Sequence, residues 1–309
     1  MGEGRWTPEA WEGYTTVNNH ATKSTHEIYA ARNIHPDLNP LNVKFRESRD
    51  SVLNPLSNAI IVSLDVTGSM QSVLDSMARK GLNQLLTKIY DFKPVTDPHV
   101  MCMGIGDVEA GDEAPLQVTQ FEADIRLAEQ LENIWLEGGG GGNQFESYSL
   151  AWYFAAHHTS IDCFEKRGKK GYLFTIGDEE PTPRLRRQDI KSVFGDDIEA
   201  DINMQDLLTL VTRKYEVFHL MVEEGSHYRH SPDKTRNAWT EILGQRALRL
   251  SDHKMLSEVI VSAIRVNEGE AADAVTKSWD KSTSLVVSKA IDGLSRIPTS
   301  GGDNSVVTL

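Results

Sequence analysis

The run Ala59-Ile60-Ile61-Val62-Ser63-Leu64 ends abruptly in Asp65-Val66-Thr67-Gly68-Ser69. An almost uninterrupted aliphatic and β-branched run of this length reads as a strand buried on both faces, which requires a sheet covered from both sides. Its end delivers one carboxylate and two hydroxyls, at alternate positions, onto the turn before a long helical pattern. That is the layout of an oxygen-ligand site. Hard divalent cations such as Mg²⁺ take ligands of this kind and keep several waters. Met70, Val73, Leu74, Met77, Leu82, Leu85, Leu86 and Ile89 then recur at helical spacing through Tyr90, an amphipathic signal.

The rest of the chain repeats this alternation. A second strand, His99–Ile105, ends in Gly106-Asp107, and an edge strand over 116–121 leads into a helix over 123–135. Five glycines, Gly138 to Gly142, precede Asn143 and a helix over 145–158. Strand 171–176 ends in Gly177-Asp178. A helix over 204–213, a strand over 216–221, a short helix over 237–243, a strand over 247–250 and a helix over 254–265 complete the pattern. Strands alternating with helices predict an α/β fold, doubly wound, with a mostly parallel sheet and helices on both faces. In such folds ligands sit beyond the carboxyl ends of the strands, so Asp65, Asp107 and Asp178 should share one rim. Taken singly, each aspartate equally suits a turn or helix cap.

Three segments are expected: an arm over 1–54 packing on the core, a domain over 55–268, and 269–309 as a C-terminal helix with a flexible tail. Trp6, Trp11, Tyr14, Tyr29 and Phe45 suggest that the arm is bound down, and a short helix is expected over 23–32. Arg46-Glu47-Ser48-Arg49-Asp50 is either a solvated charge run or a buried ion-pair strap. A formal net charge of −13 argues against a nucleic-acid or anionic-membrane partner, since both require a basic face. Cys102 and Cys163 read as free thiols in a reducing compartment. No apolar run of about 18 residues appears, and the expected location is cytoplasmic. His157-His158 with Asp162 and Cys163 fits no closed zinc set, and His227 and His230 are expected in an exposed loop. The glycine run lacks the Lys-Ser/Thr of a phosphate-binding loop.

Asp65-Val66-Thr67-Gly68-Ser69 resembles the first motif, Asp-x-Ser/Thr-x-Ser, of the metal-ion-dependent adhesion site of von Willebrand factor A domains. Gly141-Gly142-Asn143 resembles that family's second loop and Thr175-Ile176-Gly177-Asp178 its third. The resemblance spans residues 55–266. It implies Thr67 and Ser69 as direct ligands of a divalent cation, Mg²⁺ first and Mn²⁺ or Ca²⁺ as alternatives, with Asp65 and Asp178 fixing the shell. Asn143 stands where the family has threonine, and its amide oxygen can serve as a neutral ligand. Asp107 is a further candidate. Glu146, read on the first turn of the following helix, is either a helix-dipole partner or a carboxylate that reaches the metal. The implied function is a non-enzymatic interaction module that docks a partner's Asp or Glu on the metal, as an adaptor in an assembly such as one driven by a ring-forming ATPase. Two alternatives stand beside it: a metal-dependent hydrolase using Asp65, Asp107, Asp178 and Glu179, and a structural component of a larger particle.

Overall fold

The computed structural model describes residues 3–70, 73, 76, 81–138 and 145–296, with the backbone but not the side chain of Ser69. Six strands form the central sheet: β1 (Asn58–Asp65), β2 (Pro98–Ile105), β3 (Leu116–Val118), β4 (Gly171–Gly177), β5 (Tyr215–Val222) and β6 (Ala247–Leu250). Their spatial order is β6-β5-β4-β1-β2-β3, and every neighbouring pair is parallel except β2–β3. The protein is thus a mixed α/β structure on a mostly parallel sheet. All eight residues of β1 and all eight of β2 are buried, as expected of strands covered on both faces.

Alternate side chains of β1 feed two separate cores. Ile60, Val62 and Leu64 pack with Leu82, Leu85 and Ile89 of α2 (Leu82–Phe92) and with Val259, Ile260 and Ile264 of α8 (Leu256–Asn267). Ala59 and Ile61 face the other way. They join Leu150, Ala151 and Phe154 of α4 (Tyr148–His157), Ile190 of α5 (Arg187–Phe194), Leu207 of α6 (Met204–Val211) and Trp239 of α7 (Pro232–Leu243). Helix α4 is buried from Tyr148 through Ala155, in keeping with a sequence that is apolar nearly all round. Each fully buried Leu, Ile or Phe contributes roughly 1.5–3 kcal/mol. The remaining helices used below are α1 (Pro8–Val17), α3 (Arg126–Leu131), α9 (Ala272–Lys277) and α10 (Lys281–Ala290).

The structure corrects several boundaries. Between 23 and 32 only Thr25–Ile28 is helical, closed by a Ser24–Glu27 capping box. Helix α5 carried no sequence expectation. Its apolar residues, Ile190, Val193 and Phe194, occupy one face among charges. Helix α7 starts at Pro232 rather than Asn237, because proline suits the first turn and the polar Asp233-Lys234-Thr235-Arg236 masks the periodicity. The single helix expected over 270–294 is two, α9 and α10. Asp280 divides them by accepting from the Ser282 and Thr283 amides, a helix N-cap. Met70 lies in a 3₁₀ turn, and most of the helix expected after it, 71–80, falls outside the described residues.

Both extensions are packed. Trp6 and Trp11 are buried, and the Trp6 indole donates to Asn83 Oδ1 at 3.0 Å. Val275, Val287 and Leu294 join the α2–α8 core, while Trp279 lies 4.4 Å from Phe92 and donates to Ser262. The tail from 297 lies outside the described residues. Cys102 and Cys163 are free and buried. Among the described residues no helix is long and apolar enough to cross a membrane.

Of the two readings of 46–50, the strap holds. Arg46–Ser48 pairs in parallel with Thr159–Ile161. Arg49 donates to Asp162 at 2.8 Å and to Glu165 at 2.7 Å, and Asp162 also accepts from the Asp50 amide. Against desolvation, Lys166 at 2.6 Å first, then the Asp50 amide and Arg49, hold the Asp162 carboxyl below the usual range, and Asp50 is likewise depressed against desolvation by Arg167 and Ser57. A carboxylate with a depressed folded-state pKa contributes stability above its unfolded pKa and loses it as pH falls through the folded one. Asp162→Ala should therefore cost about 2 kcal/mol at neutral pH and progressively less below about pH 4. Urea denaturation of both proteins across that range checks it.

Candidate metal centre

Asp65 is the last residue of β1, opposite Ile105 on β2, and Leu64 lies opposite Ile176 on β4. Because these strands are parallel, their carboxyl ends place Asp65, Asp107 and Asp178 on one edge, as expected. All three are fully buried. The turn after β1 is built by Asp65 itself: its Oδ1 accepts from the Thr67 amide at 2.8 Å and from the Thr67 hydroxyl at 2.6 Å. Met70 N donates to Thr67 O to close the 3₁₀ turn. One carboxylate oxygen is thus spent on local geometry, while Oδ2 is buried and, among the described residues, has only the Tyr148 hydroxyl as a near polar neighbour.

Asp178 is fixed from the other side. Its Oδ2 accepts from the His227 amide at 2.9 Å, and Gly225 packs directly against it: a Cβ there would lie 2.2 Å from that oxygen. Asp107 Oδ1 accepts from the Glu109 amide, and the Asp107 amide donates to Asp112, so it organises its own loop. Ser69 places its backbone in the 3₁₀ turn, with its side chain outside the described residues. Asn143 and the run 139–144 are outside them too.

Glu146 requires a correction. It does not open a helix, because Phe145–Glu146 is extended and pairs in parallel with Glu180–Pro181, and α4 begins only at Tyr148. The helix-dipole role therefore fails. The physical reason is that residues 180–181, directly after the third loop, offer strand partners that local helical spacing does not register. Glu146 is 1% exposed and its Oε2 has no hydrogen-bond partner. Burial foremost, then the charges of Asp65, Glu179 and Asp107, push its carboxyl up to about 11.

Glu179 is 4% exposed, and its Oε2 is likewise unpartnered. Burial and the Asp65 and Asp178 charges raise it to about 8. Asp65 is raised to about 7, by burial against the Thr67 hydroxyl and with the Asp178 charge adding. His227 lies in a short helix, Ser226–His230, rather than a loop, and its Nε2 sits 2.9 Å from Glu179. Sequence reasoning missed His227 in this role. It also missed Tyr148, whose fully buried hydroxyl lies close enough to the Asp65 carboxyl to lower it, and where a Cβ on Gly177 would sit 1.9 Å away. Glu179 directly after Asp178 was the available signal, whereas Tyr148 reads as core.

The donor set fits a hard divalent cation. Carboxyl oxygens of Asp65, Glu146 and Glu179 are buried near one another, and their charged form is costly unless positive charge offsets it. Among the described residues, neither Asp65 nor Glu146 is paired with Lys or Arg. No three of the rim's carboxylates approach within 4.8 Å of one another, and the one described group that does is Glu224, Asp252 and His253 beyond β5 and β6. That group is self-satisfied: Glu224 accepts from the His253 amide and ring, and Asp252 caps Lys254 N. The wider rim suits a cation completed by hydroxyls and water. His158 contacts Asp196 and Asp162 binds Arg49. The hydroxyl–imidazole contacts Ser48–His99 and Thr175–His219 are enclosed in the core and meet no substrate.

Gly177→Ala should drive Cβ into Tyr148, cost about 1–3 kcal/mol by overpacking, and displace the Asp178 backbone that follows. Thermal denaturation should show the loss.

No family model matches the chain, and no curated protein does. Two solved structures of the pilus adhesin SpaC from Lactobacillus rhamnosus GG are similar at 12% identity. The open conformation aligns with a TM-score of 0.47 over 72% of this chain and 31% of the adhesin, and another form aligns at 0.45 over 72% and 32%. This chain thus spans about a third of the adhesin it aligns with.

Proposed function

We propose that the chain is a von Willebrand factor A-type module, doubly wound, that binds a divalent cation at the carboxyl edge of its sheet and uses it to dock a protein partner. The observation that carries this reading is Asp65, fully buried at the strand end with one carboxylate oxygen committed to Thr67 and no Lys or Arg paired with it among the described residues. Asp65, Thr67, Ser69, Asn143 and Asp178 would hold the ion, with Mg²⁺ as the resident metal. When bound, the cation supplies an electrophilic position that a carboxylate from another molecule can fill.

The chain's own residues do the rest. Asp65 orients the hydroxyl turn, and Asp178 is clamped by the His227 amide against Gly225. Burial keeps water from weakening the attraction between ion and carboxylate. The partner is a protein presenting Asp or Glu, in a multi-protein assembly such as one built on a ring-forming ATPase.

The test is the thermal shift on adding Mg²⁺ or Mn²⁺. Wild type should gain several degrees, following mass action for a ligand that binds only the folded state, and Asp65→Ala should gain none. Equal shifts in the two proteins would sink the reading. Proteins retained from a lysate by wild type, released by chelation and absent with Asp65→Ala, would identify the partner.

A further inference from the structure

Glu146 lies outside the set that the adhesion-type reading places around the ion. Yet it is the most confined carboxylate that the rim adds. It is 1% exposed, its Oε2 has no hydrogen-bond partner, and no Lys, Arg or His pairs with it among the described residues. Its backbone is not free to swing away, because residues 145–146 are hydrogen-bonded alongside 180–181, just after Asp178, and α4 begins two residues later. Of the charges acting on it, Asp65's is the strongest, followed by those of Glu179 and Asp107. The chain therefore holds a buried carboxylate in a fixed backbone position close enough to Asp65 for the Asp65 charge to act on it.

We propose that Glu146 is a resident anionic ligand of the cation, filling from within the protein the coordination position that would otherwise await a partner's carboxylate. This rests on the metal reading of Asp65, Thr67 and Asp178. With the Glu146 carboxylate on the ion and Asp65 and Asp178 acting through its bound water, the ion is less electrophilic than one held by hydroxyls and water alone. A docking Asp or Glu then displaces Glu146 rather than water. Partner binding becomes a competition between an outside and an inside carboxylate.

Mn²⁺ alone is the probe, read by titration calorimetry and by water-proton relaxation of the bound ion, on wild type, Glu146→Gln and Asp65→Ala. Glu146→Gln is nearly isosteric and removes a repelled charge, so its metal-free melting temperature should equal or exceed that of wild type. It should bind Mn²⁺ roughly tenfold or more weakly, the scale on which metal sites respond to a lost supporting group. The bound ion should carry about one more exchangeable water. Added acetate should displace that water in Glu146→Gln and leave wild type unchanged. Wild-type binding that Asp65→Ala abolishes, with the same affinity and hydration in Glu146→Gln, overturns the role of Glu146 alone. Absence of Mn²⁺ binding by wild type, or equal binding by Asp65→Ala, overturns the metal reading beneath it. If Glu146→Gln does not fold, acetate displacing a Mn²⁺-bound water from wild type would still overturn the proposal.

Discussion

The structure depends on one electrostatic imbalance: a parallel sheet that gathers Asp65, Asp107 and Asp178 at one end, with Glu146 and Glu179 beside them, and buries all five. Burial first, and the neighbouring carboxylate charges after it, raise Asp65, Glu146 and Glu179, and proton uptake is one way a protein relieves such crowding. The fold itself does not create the problem. Elsewhere its buried acids are paired, as Asp162 is with Arg49 and Asp189 with Arg186. The contrast within one chain lies in Asp65 and Glu146, which meet no Lys or Arg among the described residues.

The sheet and its two cores were legible because burial on both faces leaves an unambiguous trace, a run with no polar alternation. Strands β1, β2, β4 and β5 lie within a residue of where the apolar runs put them. Helix α5 and the first turn of α7 were not legible. Their stability comes from a few buried residues, such as Ile190 and Thr235, set among charges that dilute any periodic signal. The strap at 46–50 could be posed but not decided, since its partners, Asp162 and Glu165, lie more than a hundred residues away.

The site was legible in its aspartates and the Thr67 turn, whose hydrogen bonds span two residues. What lay further off was hidden. Glu146 looked like part of a helix because its strand partners, Glu180 and Pro181, sit beyond a whole helix and strand. Tyr148 looked like core, and it is core for all but its hydroxyl. His227 reached the site only because β5 ends beside β4 in the folded sheet.

The two-residue pairing of 145–146 with 180–181 has a mechanical meaning of its own. It yokes the loop that follows the glycine run to the loop that carries Asp178 and Glu179. On the far side, the Trp239 indole of α7 grips Glu179 O, and its ring lies flat on His219 at 3.5 Å. The strand-like pair, the loop after β4 and α7 are therefore held in one continuous chain of hydrogen bonds and ring contact, so the placement of any one of them is tied to the other two.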